Sequence, residues 1–228
     1  MPARKGFPPV LDACLAGLVL LAASPLMVLV GLAVRLSSPG PVLFRQTRVG
    51  RHGREFVLFK FRSMHPNDER IQFTADGDAR VTLFGRILRK AKLDELPELW
   101  NVIRGDMSLV GPRPEVPQYV DKSDPLWAET LRYRPGISDP ATLALRNEGE
   151  MLARLGIDRE KFYREVLLPY KCGEYVRYQR RRTFWSDLKV LFMSLIVIFL
   201  PSLAGAPSIE TLRSLEPEKD RGFRAREP

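Results

Sequence analysis

The sequence predicts an α+β fold: a membrane helix joined to a small, helix-rich body that carries a β-hairpin and, near its C-terminus, an interfacial amphipathic helix. Three observations predict it. A run of 22 residues without a charge, Ala13 to Val34, lies near the N-terminus. Two short segments of strand-like alternation follow it, and apolar residues then recur at helical spacing. At 228 residues the chain accommodates one ordinary domain with a real core, and not comfortably two. The boundaries expected are residues 1-36 for the membrane element, 37-204 for the body with its interfacial helices, and 205-228 for a charged tail of little apolar content.

Lys and Arg total 36 against 27 Asp and Glu, and the resulting +9 favours anionic partners such as phosphates, lipid headgroups or nucleic acid. Charge does not choose among them. Cys14 sits inside the apolar run and Cys172 lies far from it, which points away from a disulfide framework and toward a reducing, cytosol-facing setting. His52 and His65 have no ligand-like partners at motif spacing, so a histidine-based zinc site is not expected.

The uncharged run is long enough for a helix of about 33 Å, which is a membrane segment by default. A secretory signal peptide competes, since Arg4 and Lys5 precede the run and Ala22, Ala23 and Ser24 are small. The apolar stretch continues past those residues, against that reading. Ser24 and Pro25 fall at its middle. Proline removes a backbone donor, while the serine hydroxyl can serve a freed carbonyl, so the pair suits a bend. Cations flank both ends, Lys5 on one side and Arg35 on the other. Positive charge prefers the cytoplasm, so a re-entrant hairpin fits; a kinked spanning helix fits as well.

Residues 37 to 41, Ser-Ser-Pro-Gly-Pro, close this element. Val42 to Val49 reads as a strand, Gly50 to Gly53 as a loop, and Arg54 to Met64 as a second strand. In that second strand Leu58, Lys60 and Arg62 share one face, so the hairpin would deliver two cations to a site. A solvated edge strand, charged against aggregation, is the alternative. Pro66 to Ala79 is polar and reads as a loop. Phe84, Ile87, Leu88 and Ala91 then mark a helix with Arg86, Arg89 and Lys90 on its other faces. Leu96, Leu99, Trp100 and Ile103 give a second helix its core face, with Asp94 at the N-cap position, Pro97 in the first turn and Gly105 as the stop. Met107 to Pro117 is rich in Gly and Pro and reads as rigid and non-helical. Trp185 to Leu203 has an uncharged core of only 11 residues, Val190 to Leu200, too short to span. It reads as an interfacial helix or a core helix.

The adjacent carboxylates Asp94 and Glu95 are the leading site candidates, since two such groups can divide nucleophilic and proton-transfer work. Helix capping explains the bare pair equally simply. The surroundings shift the balance: Arg86, Arg89, Lys90 and Lys92 precede the pair and Arg113 follows between two prolines. Cations around carboxylates make a site for an anionic diphosphate.

The string Lys92-Leu93-Asp94-Glu95-Leu96-Pro97, then Leu99-Trp100-Asn101-Val102, then Gly105 through Pro114, strongly resembles the monotopic phosphoglycosyl transferases, or bacterial sugar transferases. So do Lys60 through Met64, Gln46 through Gly50, Arg134-Pro135-Gly136-Ile137 and the midpoint Ser24-Pro25. The resemblance runs from about Val10 to Phe192 and is to the small, catalytic-domain-only type. It implies a re-entrant helical hairpin broken at Ser24-Pro25 in the bacterial inner (cytoplasmic) membrane, with the active site at the cytoplasmic face. It further implies that Asp94 attacks the β-phosphate of a UDP-sugar and expels UMP, that Mg²⁺ assists with Asp94 on its ligand side, and that polyprenyl (undecaprenyl) phosphate takes the phospho-sugar. Glu95 would be the proton-transfer or metal-side partner, and Lys60, Arg62, Arg86 and Arg113 would hold phosphates. Implied partners are the UDP-sugar, polyprenyl phosphate and membrane lipids, with no nucleic acid; a homodimer stays open, since no dimer surface is identifiable.

Two stretches depart from the familiar pattern. After Gly136 the chain reads Ser138 through Glu148, where Arg146 and Asn147 are the residues able to keep a nucleotide-facing role. The acidic residue expected before a Tyr-Val pair has Glu174 as its nearest counterpart, at a different offset. Two other functions are weighed against the transferase: a glycosyltransferase that releases UDP, and a membrane-tethered basic adapter without catalysis. The adapter leaves the Asp-Glu pair and the Pro-Arg-Pro loop unexplained.

Overall fold

The computed structural model describes residues 6–65, 77–145, 148–154 and 159–200. The expected tail at 205-228 and most of the polar loop at 66-79 lie outside these residues, as do Arg146 and Asn147. Helix α1, Pro9–Ser37, is long and apolar enough to cross a membrane, and only 11% of its most apolar window is buried, unlike the mostly buried core helix of a soluble protein. Helical structure continues through Pro25, so the secondary structure shows no break there. The local repair does match the sequence: Ser24 Oγ donates to the Leu21 carbonyl at 2.7 Å. That carbonyl, four residues before Pro25, is the one whose usual donor proline removes.

Both ends of α1 rest on the same body. Near its start Ala16 packs with Leu99, Val102 and Val110, and the Leu109 amide donates to the buried Asp12 carboxylate at 3.3 Å. Near its end Val30 and Val34 pack with Phe61 and Leu88. Between them Leu18, Leu21, Val28 and Leu29 are exposed.

Strands β1, Leu43–Val49, and β2, Glu55–Phe61, form the expected antiparallel hairpin, with Phe44 opposite Lys60 and Gln46 opposite Leu58. The buried Asn101 side chain covers the outer edge of β2, accepting from Phe59 N at 3.2 Å and donating to the Val57 carbonyl at 2.7 Å. Because β2 stops at Phe61, strand alternation no longer governs residue 62. Arg62 turns instead to the end of α1 and donates to the carbonyls of Val34, Ser38 and Pro41. The Val34 and Ser38 carbonyls belong to the end of α1, where intrahelical donors run out, and Pro41 lies in the turn that follows. We expect Arg62→Met to lower stability by about 2–3 kcal/mol, the scale of lost charge-assisted bonds, and to lower thermal unfolding temperature in detergent while leaving KM for substrate within twofold of wild type. A large rise in KM with unchanged stability would return Arg62 to the substrate site.

Helix α2, Leu83–Lys90, is capped by Thr82, whose hydroxyl accepts from Gly85 N at 2.8 Å. A 3-10 turn, Leu93–Glu95, separates it from α3, Glu98–Arg104, which ends at Gly105 in the left-handed region at φ 83. Two expectations are corrected here. Asp94 is not the N-cap of α3, because the 3-10 turn and Pro97 intervene. Trp100 is 49% exposed, whereas Glu98, Leu99, Asn101 and Val102 are buried. The helix is covered by α1 on one side and β2 on another, so its buried face differs from its apolar stripe.

Strands β3, Ser108–Val110, and β4, Gly136–Ser138, pair in parallel, a contact with no signal in the sequence. It requires glycine: a Cβ at Gly136 would lie 2.1 Å from the Gly111 nitrogen. Helices α4, Pro125–Thr130, α5, Pro140–Ala144, α6, Glu148–Arg154, and α7, Arg159–Phe162, precede a π-helical turn and α8, Leu168–Arg181. Their core gathers Trp127, Leu145, Leu152, Phe162, Leu167 and Tyr175.

Helix α9, Phe184–Phe199, has one exposed and one buried face. Trp185, Phe192 and Leu195 are exposed, while Val190 joins the core and Asp187 is fully buried. Asp187 accepts from the Phe7 amide at 2.7 Å, from Tyr178 at 2.7 Å and from the Arg182 guanidinium at 2.8 Å, tying the start of α1 to the C-terminal helices.

Candidate active site

The site is built on the turn between α2 and α3. Lys92 takes a left-handed conformation, φ 57, and the 3-10 turn after it points the Asp94 carboxylate inward. Asp94 is 7% exposed, and its Oδ1 accepts no hydrogen bond from the described residues. Burial raises its pKa above the ordinary 3.8, and the neighbouring Glu95 charge adds to the rise; Lys60, Lys92 and Arg89 oppose it. The result is a buried, poorly solvated carboxylate with an unused oxygen, which a structural cap would not be.

Glu95 has the opposite environment. Lys60 reaches it from β2 at 2.9 Å and Arg113 pairs with it from the loop after β3. Burial alone would push the Glu95 carboxyl up, but Arg113, Lys60 and Lys92 together hold it well below the usual range. In return Glu95 raises the Arg113 pKa well above its ordinary value, so that guanidinium is permanently charged. Lys60 also meets Glu98 at 3.1 Å. Glu98 is 1% exposed, and burial raises its pKa.

The Arg113 loop is rigid for a visible reason. Its flanking carbonyls are both engaged: Pro112 O accepts from Gly136 N at 2.9 Å and Pro114 O from Arg48 Nη1 at 3.0 Å. Val49 N donates to the Glu115 carbonyl at 2.9 Å, fastening the same loop to the end of β1. Prolines at 112 and 114 remove most of the remaining freedom. A pre-ordered arginine is suited to a phosphate, since its fork of donors matches two oxygens at once.

Of the residues singled out from sequence, Asp94, Glu95, Lys60 and Arg113 converge. Arg62 does not, being bound to the end of α1. Arg86 is exposed on α2. Glu174 lies on α8 and pairs with Arg177. One polar residue of the site was missed: Glu98 follows a proline in a first helical turn, where an acidic residue is ordinary.

Among the described residues no group of three or more His, Cys, Asp or Glu side chains forms a metal cage. The donor set nevertheless fits Mg²⁺, which takes one or two carboxylates and completes its shell with water and substrate phosphate oxygens. The unbonded Oδ1 of Asp94 is a hard oxygen donor of that kind.

An apolar helix long enough to cross a membrane packs at both ends against an α+β body, whose buried carboxylates set among Lys and Arg are equipped to handle anionic groups. The chain belongs to the bacterial sugar transferase family, whose profile matches residues 4–201. It is 50% identical over half of its length to UDP-N-acetylgalactosamine-undecaprenyl-phosphate N-acetylgalactosaminephosphotransferase of Aeromonas hydrophila, covering 28% of that protein. It is 39% identical over 80% of its length to UDP-glucose:undecaprenyl-phosphate glucose-1-phosphate transferase of Caulobacter vibrioides, covering 66% of that protein. The enzyme of the same name from Escherichia coli K12 is 37% identical over 85% of this chain, which covers 40% of it. The chain thus spans between 28% and 66% of the length of these relatives.

Proposed function

We propose that this protein is a phosphoglycosyl transferase that moves a sugar-1-phosphate from a UDP-sugar to polyprenyl phosphate. The observation that carries the reading is the buried, unbonded Asp94 oxygen beside a Glu95 held ionised by Lys60 and Arg113. Asp94 attacks the β-phosphorus, and the bond from that phosphorus to the bridging oxygen breaks, so UMP leaves with the bridging oxygen. The phospho-sugar is then an acyl phosphate on Asp94. A phosphate oxygen of the polyprenyl acceptor attacks the same phosphorus and the bond to Asp94 breaks, giving a polyprenyl diphospho-sugar and the free carboxylate. Each displacement exchanges one phosphorus–oxygen bond for another.

Arg113 and Lys60 hold phosphate oxygens against their mutual repulsion, and Glu95 keeps both cations in place before substrate arrives. A Mg²⁺ ion, held on Asp94, would offset charge on the diphosphate when bound. The three relatives act by name on N-acetylgalactosamine or glucose donors, and these donors, with galactose, form the panel to try; an N-acetylated hexosamine is our preferred donor. Purified protein, undecaprenyl phosphate, Mg²⁺ and that panel should yield UMP with at least one donor. Release of UDP would make the chain a glycosyltransferase instead, and release of neither would leave the basic adapter.

We further place α1 as a re-entrant element in the bacterial inner membrane, with the active site on the cytoplasmic side. Support comes from the body contacts at both ends of α1, Asp12 with Leu109 and Val34 with Phe61, since a spanning helix would carry one end away from the body. The exposed apolar side chains Leu83, Ile87, Trp100, Trp185 and Phe192 suit a body lying on the leaflet. In a background with Cys14 and Cys172 replaced, cysteines introduced at Pro8 and at Leu36 should both react from the cytoplasmic side of oriented vesicles. Labelling from opposite sides would sink the hairpin. Pro25→Ala should shift some molecules toward opposite-side labelling, because it restores the missing backbone donor.

A further inference from the structure

Glu98 is an anomaly in the core. It is fully buried in the first turn of α3, a helix that packs against β2, and a carboxylate at that depth carries a desolvation cost that a glutamine of the same shape avoids. Its charged partner is Lys60, whose ammonium lies 3.1 Å from Glu98 Oε1. Lys60 is therefore set between two carboxylates, Glu95 at 2.9 Å and Glu98 at 3.1 Å. The two are not equivalent. Glu95 also pairs with Arg113 and lies at the site itself, whereas Glu98 pairs with Lys60 alone among the described residues.

A lysine ammonium is a point charge on a flexible four-carbon stem, with three donors and no fixed plane. Held only by Glu95, it would follow that side chain whenever Glu95 engaged a proton, a metal ion or a substrate group. A second anchor in a rigid helix removes that freedom.

We propose that Glu98 is a positioning residue that acts through Lys60: it fixes the ammonium beside the Asp94–Glu95 pair so that one donor stays aimed at the diphosphate of the UDP-sugar. The proposal rests on the transferase reading above. Glu98 itself touches no reacting atom; Lys60 is the cation it pairs with, and its charge is also felt by Arg113.

A double-mutant cycle tests this with full-length protein in detergent or nanodiscs, reading UMP release from the accepted UDP-sugar. Glu98→Gln preserves shape and an acceptor and removes the charge. It should lower kcat/KM about tenfold, mostly through KM, with unchanged thermal unfolding or a slight rise. Lys60→Met should cost about 100-fold. The combined variant should be no worse than Lys60→Met alone, because the removed charge has nothing left to position. Three results overturn the proposal: losses that multiply in the combined variant, wild-type kcat/KM in Glu98→Gln, or a fall in folded Glu98→Gln protein that accounts for its fall in activity. If wild type itself releases no UMP with any donor, the transferase reading falls and this inference with it. An active wild type with multiplying losses removes the inference alone.

Discussion

Asp94→Asn should give a folded, membrane-bound protein whose turnover is reduced by roughly 10⁴-fold or more, the scale on which loss of a nucleophile is felt. The amide fills the same space, yet it cannot attack phosphorus. Stability separates this from a structural role. Burial places the folded-state pKa of Asp94 above 3.8, so the unfolded chain gives up that proton more readily than the folded one. Ionisation therefore works against the fold above pH 3.8, and the penalty vanishes below it. Asp94→Asn should be at least as stable as wild type at pH 7, with the advantage shrinking as pH falls. Were Asp94 only a cap or a hydrogen-bonding residue, the variant would lose stability rather than turnover. The same shift predicts that the acid limb of the kcat/KM profile lies above pH 3.8, because the attacking form is the carboxylate. Wild type given UDP-sugar and Mg²⁺ without acceptor should release at most about one UMP per enzyme and gain a phospho-sugar on the peptide containing Asp94. Normal turnover with no such adduct under rapid quenching would favour direct attack by the polyprenyl phosphate.

Arg113→Lys should lower kcat/KM about 100-fold even though charge is retained. The guanidinium serves Glu95 and, in the proposed mechanism, the substrate phosphate, and an ammonium cannot hold two oxygens in parallel. Its loop is fixed through Pro112 and Pro114, so the shorter reach of the lysine donor is not recovered by backbone movement. Wild-type kinetics in this variant would reduce Arg113 to a general counter-charge for Glu95. Loss of folded protein matching the loss of activity would make it structural.

Much of this molecule was legible as local pattern. The apolar run, the Ser24 repair of the Pro25 gap, the alternating hairpin and the Gly105 stop all depend on residues within a few positions of one another, where backbone chemistry and periodicity act directly. Family resemblance supplied the roles of Asp94, Glu95, Lys60 and Arg113, and these four do meet. Alternation misled only where its premise ended: Arg62 lies one residue beyond β2, and helix-end carbonyls 20 or more positions earlier captured it.

By itself, then, the sequence determined the long apolar helix, the β-hairpin, the helices on either side of the Asp94–Glu95 turn, and four of the residues that meet there, Asp94, Glu95, Lys60 and Arg113. Only the tertiary structure decided which buried face α3 presents, because that depends on α1 and β2 packing against it from two sides. It alone paired β3 with β4, since three-residue strands bounded by Gly and Pro carry no periodicity. And it alone made Glu98 and Asp187 exceptional. A single carboxylate in a helix reads as a solvated or dipole-favoured residue until a partner from a distant segment, Lys60 for one and the Phe7 amide for the other, is brought against it out of water.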